Sequence, residues 1–485
     1  MSSSSEGLAM SAGSDAADGR PGSHPPGRLM RLAPVLTGLT ALVCLLGWLQ
    51  KQPCASARFD FLKTTTNACY TDIYPLYYVR GLNDGKLPYF DALQGSDIHY
   101  VEYPVLSGGF MQLVAWLVRP FGVDGRGMAF YNVTALLLAV LAVVAVLATA
   151  YAAGRRSLRV GLMVALSPAL LLTAYINWDL LAVALSALAV AAWSARRPAL
   201  AGALLGLAIA AKFYPLLFLG PLVLLCVRAG QWRAMGRLLA GTAGAWLLVN
   251  LPVMVFAWDG WLEFYTFSQK RGVDWGSIFF VLQDHGLPEP AGDTDLLNLL
   301  GTGTFLVLAA GIAVLALAAP RRPRLAQLLF LVLVAFMLPN KVWSPQYVLW
   351  LLPLAVLARP KLPAFVAWQI GEIIYFFGIW WFLLSVSGQT QGANLSDTMS
   401  AVLSMDAPEG GISQDVYSLA LLARFVTVLV LAALVVWDIL RPSGDIVRAN
   451  GVDDPAGGVL DGAADVVSLG RWRGAHHRAG VPAPS

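Results

Sequence analysis

The sequence predicts an all-α protein that crosses a membrane many times. Of its 485 residues, 57% are hydrophobic and only 13% are charged, whereas a soluble domain carries about 25% charged residues. Apolar runs of about 18 or more residues recur along the chain, and a helix of that length crosses ~30 Å of hydrocarbon. Arginine and lysine gather in short loops between these runs, as the positive-inside rule predicts. No basic patch is interleaved with aromatic residues, so nucleic-acid binding has no support.

Three parts are predicted along the chain: a tail (1–31), a membrane domain (32–440) and a second tail (441–485). Both tails are rich in small and polar residues without apolar periodicity, so we expect them to be disordered and cytoplasmic. The first apolar run is too long for a cleaved signal peptide and predicts an anchor. The runs together predict about twelve spans, with centres near Leu42, Leu141, Leu166, Leu185, Leu205, Leu222, Leu247, Leu308, Leu333, Leu352, Phe376 and Val430.

One apolar segment, 104–121, decides the sidedness of everything after it. If this segment does not cross, both tails and five basic loops fall on the cytoplasmic side, and the acidic loops fall outside. These basic loops contain Arg155, Arg156 and Arg159; Arg196 and Arg197; Arg228 to Arg237; Arg321, Arg322 and Arg324; and Arg359 with Lys361. We therefore predict a juxtamembrane helix in the outer interface, with Pro104 in its first turn. The alternative is a true span that inverts the rest of the protein.

Region 51–127 then forms a polar outer loop followed by the juxtamembrane helix. Cys54 and Cys69 lie in this loop, in a compartment where disulfides form. A bridge between them would close a loop of about 15 residues, nominally worth ~3 kcal/mol; the alternative is two free thiols. The histidines are scattered and no metal-ligand spacing appears, so the sequence predicts neither a metal site nor a cofactor, although a divalent cation stays a minor alternative.

The outer loop alternates acids with tyrosines. Asp72 and Tyr74 are followed by Tyr89 and then by Glu102 and Tyr103. Aromatic faces stack on pyranose rings and carboxylates accept hydrogen bonds from hydroxyls, so the pattern suits a sugar. Tyrosine also anchors proteins at membrane interfaces, which is the alternative interpretation.

The order of polar segments on the outer face resembles the GT-C class of membrane glycosyltransferases and, within it, glycosyltransferase family 87. That family is known for polyprenyl-phosphate-mannose-dependent α-mannosyltransferases of actinobacteria. The resemblance covers about residues 32–440. It rests on the Asp-containing outer loop, Gly81, Gly85, Leu87-Pro88-Tyr89, Glu102-Tyr103-Pro104, Asn177-Trp178-Asp179, Lys212-Phe213-Tyr214-Pro215 and Lys341-Val342-Trp343-Ser344-Pro345-Gln346-Tyr347. It implies a GT-C-like fold with juxtamembrane helices in the first outer loop.

The resemblance also implies a mechanism. In that class an Asp of the first outer loop is the catalytic base, and Asp72 is the matching position. An inverting transfer needs one base to take the proton of the acceptor hydroxyl. The leaving phosphate needs cations nearby, and Lys212, Lys341 and Arg424 are candidates. Because an arginine inside a span is costly, Arg424 has a second interpretation, an ion pair with Glu372.

Six residues are candidate sugar contacts: Tyr74, Tyr89, Glu102, Tyr103, Asp179 and Gln346. Three of them have structural alternatives. Glu102 suits a cap of the juxtamembrane helix, Asp179 suits a helix N-cap, and Gln346 suits an anchor at the end of a span. The remaining acids of the outer loop are interpreted as solvated, namely Asp60, Asp84, Asp91 and Asp97.

The leading hypothesis is a hexosyltransferase of the plasma membrane that works on the outer face. Nucleotide sugars are cytoplasmic, so that sidedness implies a polyprenyl-phosphate-sugar donor, with an envelope glycolipid or polysaccharide as acceptor. A transporter or lipid flippase is the alternative, since about twelve spans fit that class too. A third possibility, a non-enzymatic scaffold, predicts no dependence on any single acid. The polar residues gather at one face, apart from Glu372 and Arg424, which favours the enzyme.

Overall fold

The computed structural model describes residues 26–95, 97–284, 286, 293–388, 392–404, 406–448 and 453–469. Within these ranges the secondary structure is helical, apart from one isolated β-bridge between Ala393 and Ile412. The predicted all-α polytopic class is confirmed. Six of the described helices are long and apolar enough to cross a membrane.

The first half of the chain contains helices α1 to α10. Their bounds are Pro26–Gln50 (α1), Gln52–Ser56 (α2), Phe61–Thr66 (α3), Ile73–Val79 (α4), Val105–Leu117 (α5), Val123–Ala152 (α6), Ser157–Ala165 (α7), Pro168–Thr173 (α8), Asp179–Ser194 (α9) and Pro198–Ala211 (α10). The predicted outer loop therefore holds short helices, and its juxtamembrane part ends before α6 begins at Val123.

The second half contains helices α11 to α20. Their bounds are Leu219–Arg228 (α11), Trp232–Phe256 (α12), Trp258–Lys270 (α13), Ile278–Asp284 (α14), Thr294–Ala318 (α15), Leu325–Met337 (α16), Val348–Ala358 (α17), Leu362–Gly388 (α18), Leu395–Ser404 (α19) and Gln414–Leu440 (α20). Short 3-10 helices occur at Gly154–Arg156, Tyr214–Phe218, Pro345–Tyr347, Pro442–Gly444 and Gly458–Leu460.

The long membrane helices coincide with six of the predicted spans, and most other predicted spans are shorter apolar helices packed among them. The predicted span at Leu166 is a broken one, because Leu166 and Ser167 separate α7 from α8, which begins at Pro168. A proline carries no amide hydrogen and fits the first turn of a new helix better than the interior of an old one.

Helix α5 is the segment that decides the sidedness. Its 13 residues span about 20 Å, which is less than the ~30 Å of hydrocarbon. It packs against α10, where the Ser107 hydroxyl donates to the Ala211 carbonyl at 2.6 Å. That this helix lies in the outer interface stays a prediction.

The basic loops meet at one end of the helix bundle, which we call the basic end and define by Arg156, Arg228, Arg322, Arg324 and Arg359. Residues 441–448 and 453–469 pack onto this end, so the prediction of a disordered tail is wrong for that segment. Its acids account for the difference, because they pair with the arginines. The amino-acid composition of this segment, which lacks apolar periodicity, does not reveal that its acids pair with distant arginines. Residues 470–485 and 1–25 lie outside the described residues, and α1 already begins at Pro26, within the predicted first tail.

One glycine shows how closely the C-terminal segment fits. Gly458 has φ +59°, and a Cβ atom there would lie 1.9 Å from the Trp193 carbonyl oxygen. The Trp193 indole nitrogen donates to the Gly457 carbonyl at 2.8 Å. Only a residue without a side chain allows this approach of the segment to the end of α9.

Candidate active site

A cavity of about 540 Å³ lies at the end of the bundle opposite the basic end. Helix α10 connects the two ends, since Arg197 precedes it and Lys212, in the cavity wall, follows it. The walls come from the outer loop, from α13 and the segment after it, from residues 344–347 and from α18. The charged side chains that line the cavity are Asp72, Arg80, Glu102, Lys212, Arg271 and Asp274.

Asp72 immediately precedes α4 and lies on a tightly held stretch of backbone. Its amide donates to the Ile176 carbonyl at 2.7 Å, and the Thr71 hydroxyl donates to the Tyr175 carbonyl at 2.7 Å. A disulfide joins Cys54 to Cys69, with Cα atoms 6.0 Å apart, just before this stretch. The carboxylate position is therefore fixed from both the outer loop and the start of α9.

The environment of Asp72 suits a base. The Tyr70 hydroxyl donates to its Oδ1 at 2.6 Å, and the Tyr70 ring stacks on Trp380 with centroids 4.7 Å apart. Burial raises the pKa of Asp72 to about 6, against the lowering effects of the Tyr70 hydrogen bond and the Lys212 charge. Repulsion by Asp72 and burial raise the pKa of Tyr70 well above its usual value, so that its hydroxyl stays a donor. A carboxylate with a pKa near neutral accepts protons more effectively than an ordinary one.

Lys212 is the predicted cation that the structure brings into the cavity. Its Nζ lies 2.8 Å from Oδ1 of Asp179 and faces the rings of Tyr103 and Tyr347 at 5.4 and 5.8 Å. Asp179 is buried behind the wall. The N-cap interpretation of Asp179 is wrong, since Trp178 occupies that position and no side chain caps the helix. Asp179 therefore influences the cavity through Lys212.

Arg271 and Asp274 are cavity residues that the sequence analysis missed. The Arg271 guanidinium lies 3.4 Å from Oδ2 of Asp274 and is 41% exposed, and its charge lowers the pKa of Asp72. The Ser344 hydroxyl donates to Oδ2 of Asp274 at 3.2 Å. The sequence did contain an indication, because Lys270 and Arg271 form a basic pair in an outer loop that is otherwise acidic.

The other two predicted phosphate ligands do not line the cavity. Lys341 donates from Nζ to the Gln269 carbonyl at 2.8 Å. Arg424 is fully buried and its Nε lies 3.1 Å from Oε2 of Glu372. The ion-pair interpretation of Arg424 therefore describes its contact, and both basic side chains are occupied by the protein itself.

The predicted sugar contacts divide into two groups. Glu102, Tyr103 and Gln346 line the cavity, whereas Tyr74, Tyr89 and Asp179 do not. Tyr74 instead packs between Phe59 and Tyr78. Asp72, just before α4, and Leu76, four residues later, face the cavity, so a residue midway between them points elsewhere.

Tyr89 also lies outside the cavity lining. It is buried, and its hydroxyl donates to the Tyr103 and Pro104 carbonyls at 2.9 Å each. It supports the wall from behind, so the prediction of direct sugar contact has no geometric basis for Tyr89.

Glu102 lines the cavity as half of an ion pair. Both of its oxygens lie 2.6 Å from nitrogens of the Arg80 guanidinium, in a bidentate arrangement. The alternative that Glu102 caps the juxtamembrane helix is wrong, since Pro104 holds the N-cap position of α5 without a side-chain bond. Arg80 is a second cavity cation that the sequence analysis missed.

No group of three His, Cys, Asp or Glu side chains in the described part of the chain is arranged to hold a metal ion. The charged groups that do converge can bind an anion and accept a proton. Lys212 and Arg271 supply positive charge, and Asp72 supplies a carboxylate with a raised pKa. This combination fits the transfer of a group away from a phosphate.

Comparisons with known proteins bear on this arrangement. The sequence model of glycosyltransferase family 87 matches residues 100–345. No curated protein matches the chain. Among solved structures, the apo form of the oligosaccharyltransferase of Archaeoglobus fulgidus is similar to this chain, with a TM-score of 0.35 and 12% sequence identity. That similarity covers 87% of this chain and 52% of the other, so this chain spans about half the length of that protein.

Proposed function

Because the chain belongs to glycosyltransferase family 87, we propose that it transfers mannose from a polyprenyl-phosphate donor to an envelope glycolipid or polysaccharide. Its apolar helices make it a multi-pass membrane protein. The family membership favours a glycosyltransferase over the transporter or flippase alternative. Asp72 precedes the matched range, so its role rests on the geometry of the site.

The observation that carries the proposal is the Asp72 carboxylate on the wall of a cavity that Lys212 and Arg271 also line. Tyr70 fixes one oxygen of Asp72, and burial keeps its pKa near neutral. Lys212 and Arg271 line other walls of the same cavity. The cavity volume, about 540 Å³, falls in the range of roughly 300–1,000 Å³ that small-molecule sites occupy.

The proposed reaction is a single displacement with inversion. The acceptor hydroxyl oxygen attacks the anomeric carbon of the donor sugar, and the bond from that carbon to the phosphate oxygen breaks. The hydroxyl proton passes to Asp72, and the polyprenyl phosphate leaves with both electrons of the broken bond. Lys212 and Arg271 stabilise the negative charge on the departing phosphate. The scheme requires no metal and no cofactor.

The proposal places the cavity on the outer face of the plasma membrane and both termini in the cytoplasm. Its support is the gathering of basic loops at the opposite end of the bundle, where the positive-inside rule expects the cytoplasm. A lipid-linked donor follows from this sidedness, since nucleotide sugars are confined to the cytoplasm. Cysteines introduced at positions 157 and 395 test it: a membrane-impermeant label should reach 395 and not 157.

The experiment that tests the function uses membranes containing the protein and polyprenyl-phosphate-mannose labelled in the sugar. We expect a labelled glycolipid or polysaccharide, with the anomeric configuration opposite to that of the donor. Membranes that carry the Asp72→Asn variant at equal abundance are the control. Movement of the label across the membrane without a covalent product would favour the transporter instead.

A further inference from the structure

A charged pair lies inside the helix bundle, next to the cavity but not in it. Arg424 of α20 and Glu372 of α18 approach to 3.1 Å, and both are buried. The Trp368 indole nitrogen donates to the other oxygen of Glu372 at 3.0 Å. Burying two charges is expensive unless each finds further partners, so the remaining contacts of Arg424 indicate its purpose.

Both carbonyls that accept from Arg424 belong to one loop. Arg424 donates from Nη1 to the Trp343 carbonyl at 2.8 Å and from Nη2 to the Ser344 carbonyl at 3.2 Å. Its guanidinium lies 4.2 Å from the centroid of the Trp343 ring and 4.1 Å from that of Tyr375. The next residues along the chain, Pro345 to Tyr347, form a wall of the cavity. Arg424 thus holds the backbone from which that wall extends.

The loop is joined to the segment that carries Arg271. The Asp274 amide donates to the Lys341 carbonyl at 2.8 Å, and the Ser277 hydroxyl donates to the Asn340 carbonyl at 2.8 Å. Gly276 has no room for a side chain, since a Cβ atom would lie 2.0 Å from the Trp343 carbonyl oxygen. Residues 271–277 and the loop 340–347 are therefore packed together, and we call these two segments the unit.

Helix α20 holds this unit at a second point. The Tyr417 hydroxyl donates to the Trp275 carbonyl at 2.7 Å. Tyr417 precedes Arg424 by seven residues, about two helical turns, so both lie on one face of α20. That face contacts the unit twice, once on each of its segments.

We propose that Arg424, paired with Glu372, is a positioning residue that sets the donor-binding wall of the cavity. This inference rests on the proposed function, in which Arg271 and Lys212 hold the donor phosphate. Arg424 acts through the backbone of 343–344 and never touches the substrate. Its loss displaces the unit that carries Arg271, Gln346 and Tyr347, while Asp72, held separately by Tyr70 and Ile176, stays in place.

The test is the Arg424→Lys variant of the full-length protein in a donor-dependent mannosyl-transfer assay. Lysine keeps the charge opposite Glu372 but lacks the planar fork that reaches two carbonyls and stacks between two rings. We expect the KM for the lipid-linked donor to rise about tenfold, with kcat and the acceptor KM within about twofold of the wild type.

The matched control is Arg359→Lys. Arg359 likewise forms an ion pair that involves α20, since its Nε lies 3.0 Å from Oδ2 of Asp438 on that helix, but the pair lies at the basic end. Arg359→Lys weakens an ion pair that also involves α20, but we expect it to leave the donor KM unchanged because this pair lies away from the cavity. A donor KM that stays at the wild-type value in Arg424→Lys, or rises equally in Arg359→Lys, overturns the inference.

A milder variant keeps the inference testable if Arg424→Lys does not accumulate in the membrane. Tyr417→Phe removes only the hydroxyl that holds the Trp275 carbonyl, and we expect a rise of about threefold in the donor KM with kcat unchanged. An unchanged donor KM would count against a positioning role for this face of α20. Wild-type protein that transfers no sugar would instead remove the proposed function, and the inference with it.

Discussion

The two ends of the helix bundle use similar charged residues in opposite ways. At the basic end, Arg228 forms an ion pair with Asp465 at 2.9 Å and donates to the Ala316 and Ala319 carbonyls at 2.6 and 3.0 Å. Arg324 pairs with Asp445 at 2.7 Å and donates to the Leu357 carbonyl at 2.9 Å. At the cavity end, Lys212 has one acidic partner and Arg271 is partly exposed.

The two ends differ in whether their basic side chains remain available to a ligand. The carbonyls that the basic-end arginines hold belong to the last turns of α15 and α17, where helices leave acceptors without partners. Every guanidinium nitrogen of Arg228 and Arg324 donates to the protein itself, and these arginines join the C-terminal segment to the bundle. Lys212 and Arg271 face the cavity that Asp72 also lines. Charged side chains therefore stabilise the fold at one end and are available for chemistry at the other.

The largest effect is expected for Asp72→Asn. Replacing the base by a neutral amide of the same shape should lower the transfer rate by about 10²–10⁴-fold, with normal abundance in the membrane. Asp84→Asn is the control, since Asp84 lies in the same loop but not in the cavity wall and should stay active. Transfer rates measured with labelled donor test this prediction. An active Asp72→Asn protein would remove this residue from the mechanism.

Asp445→Asn tests whether the charges at the basic end stabilise the fold. It leaves the buried Arg324 charge without its carboxylate, which should cost about 3 kcal/mol of stability. We expect a lower midpoint of thermal denaturation in detergent, while the donor KM of the protein that remains folded stays unchanged. Asp415→Asn, at an exposed site on α20, should melt like the wild type. A large change in donor KM for Asp445→Asn would break the division between the two ends.

The third prediction separates two cations of the cavity end. Arg271→Gln should raise the donor KM about 10- to 100-fold, because a charge-assisted contact with phosphate is lost. The same change at Lys341, whose ammonium is held by the Gln269 carbonyl, should have a much smaller effect. If both variants raise the donor KM equally, Lys341 contributes to the phosphate site, as the sequence predicted.

The smallest effect concerns the acid limb of the pH profile. Asp72 acts as a base only when ionised, so kcat/KM should fall as the pH drops through about 6. The Tyr70 hydrogen bond stabilises the ionised form and lowers this pKa. Tyr70→Phe should therefore move the limb to higher pH by about one unit. A limb that does not move would show that another group controls it.

How far the sequence predicted the site depended on what each residue contacts. Five predicted residues line the cavity, namely Asp72, Glu102, Tyr103, Lys212 and Gln346, and each lies next to the start or end of a helix. Tyr74 and Tyr89 do not, although they belong to the same aromatic pattern. Composition and order do not reveal on which side of a short helix or turn a ring lies.

By itself, the sequence determined the membrane class, the positions of the apolar helices and the separation of basic loops from the polar outer loop. These properties follow from hydrophobicity and charge along the chain. Hydrophobicity decides which segments enter the lipid, and the positive-inside rule relates the basic loops to one side of the membrane. Only the tertiary structure decided that Arg271 joins Lys212 in the cavity, that Arg424 turns inward to Glu372, and that the C-terminal acids bind the basic end. Those outcomes depend on which distant segments meet, and a charge acquires its role from the groups that its side chain faces.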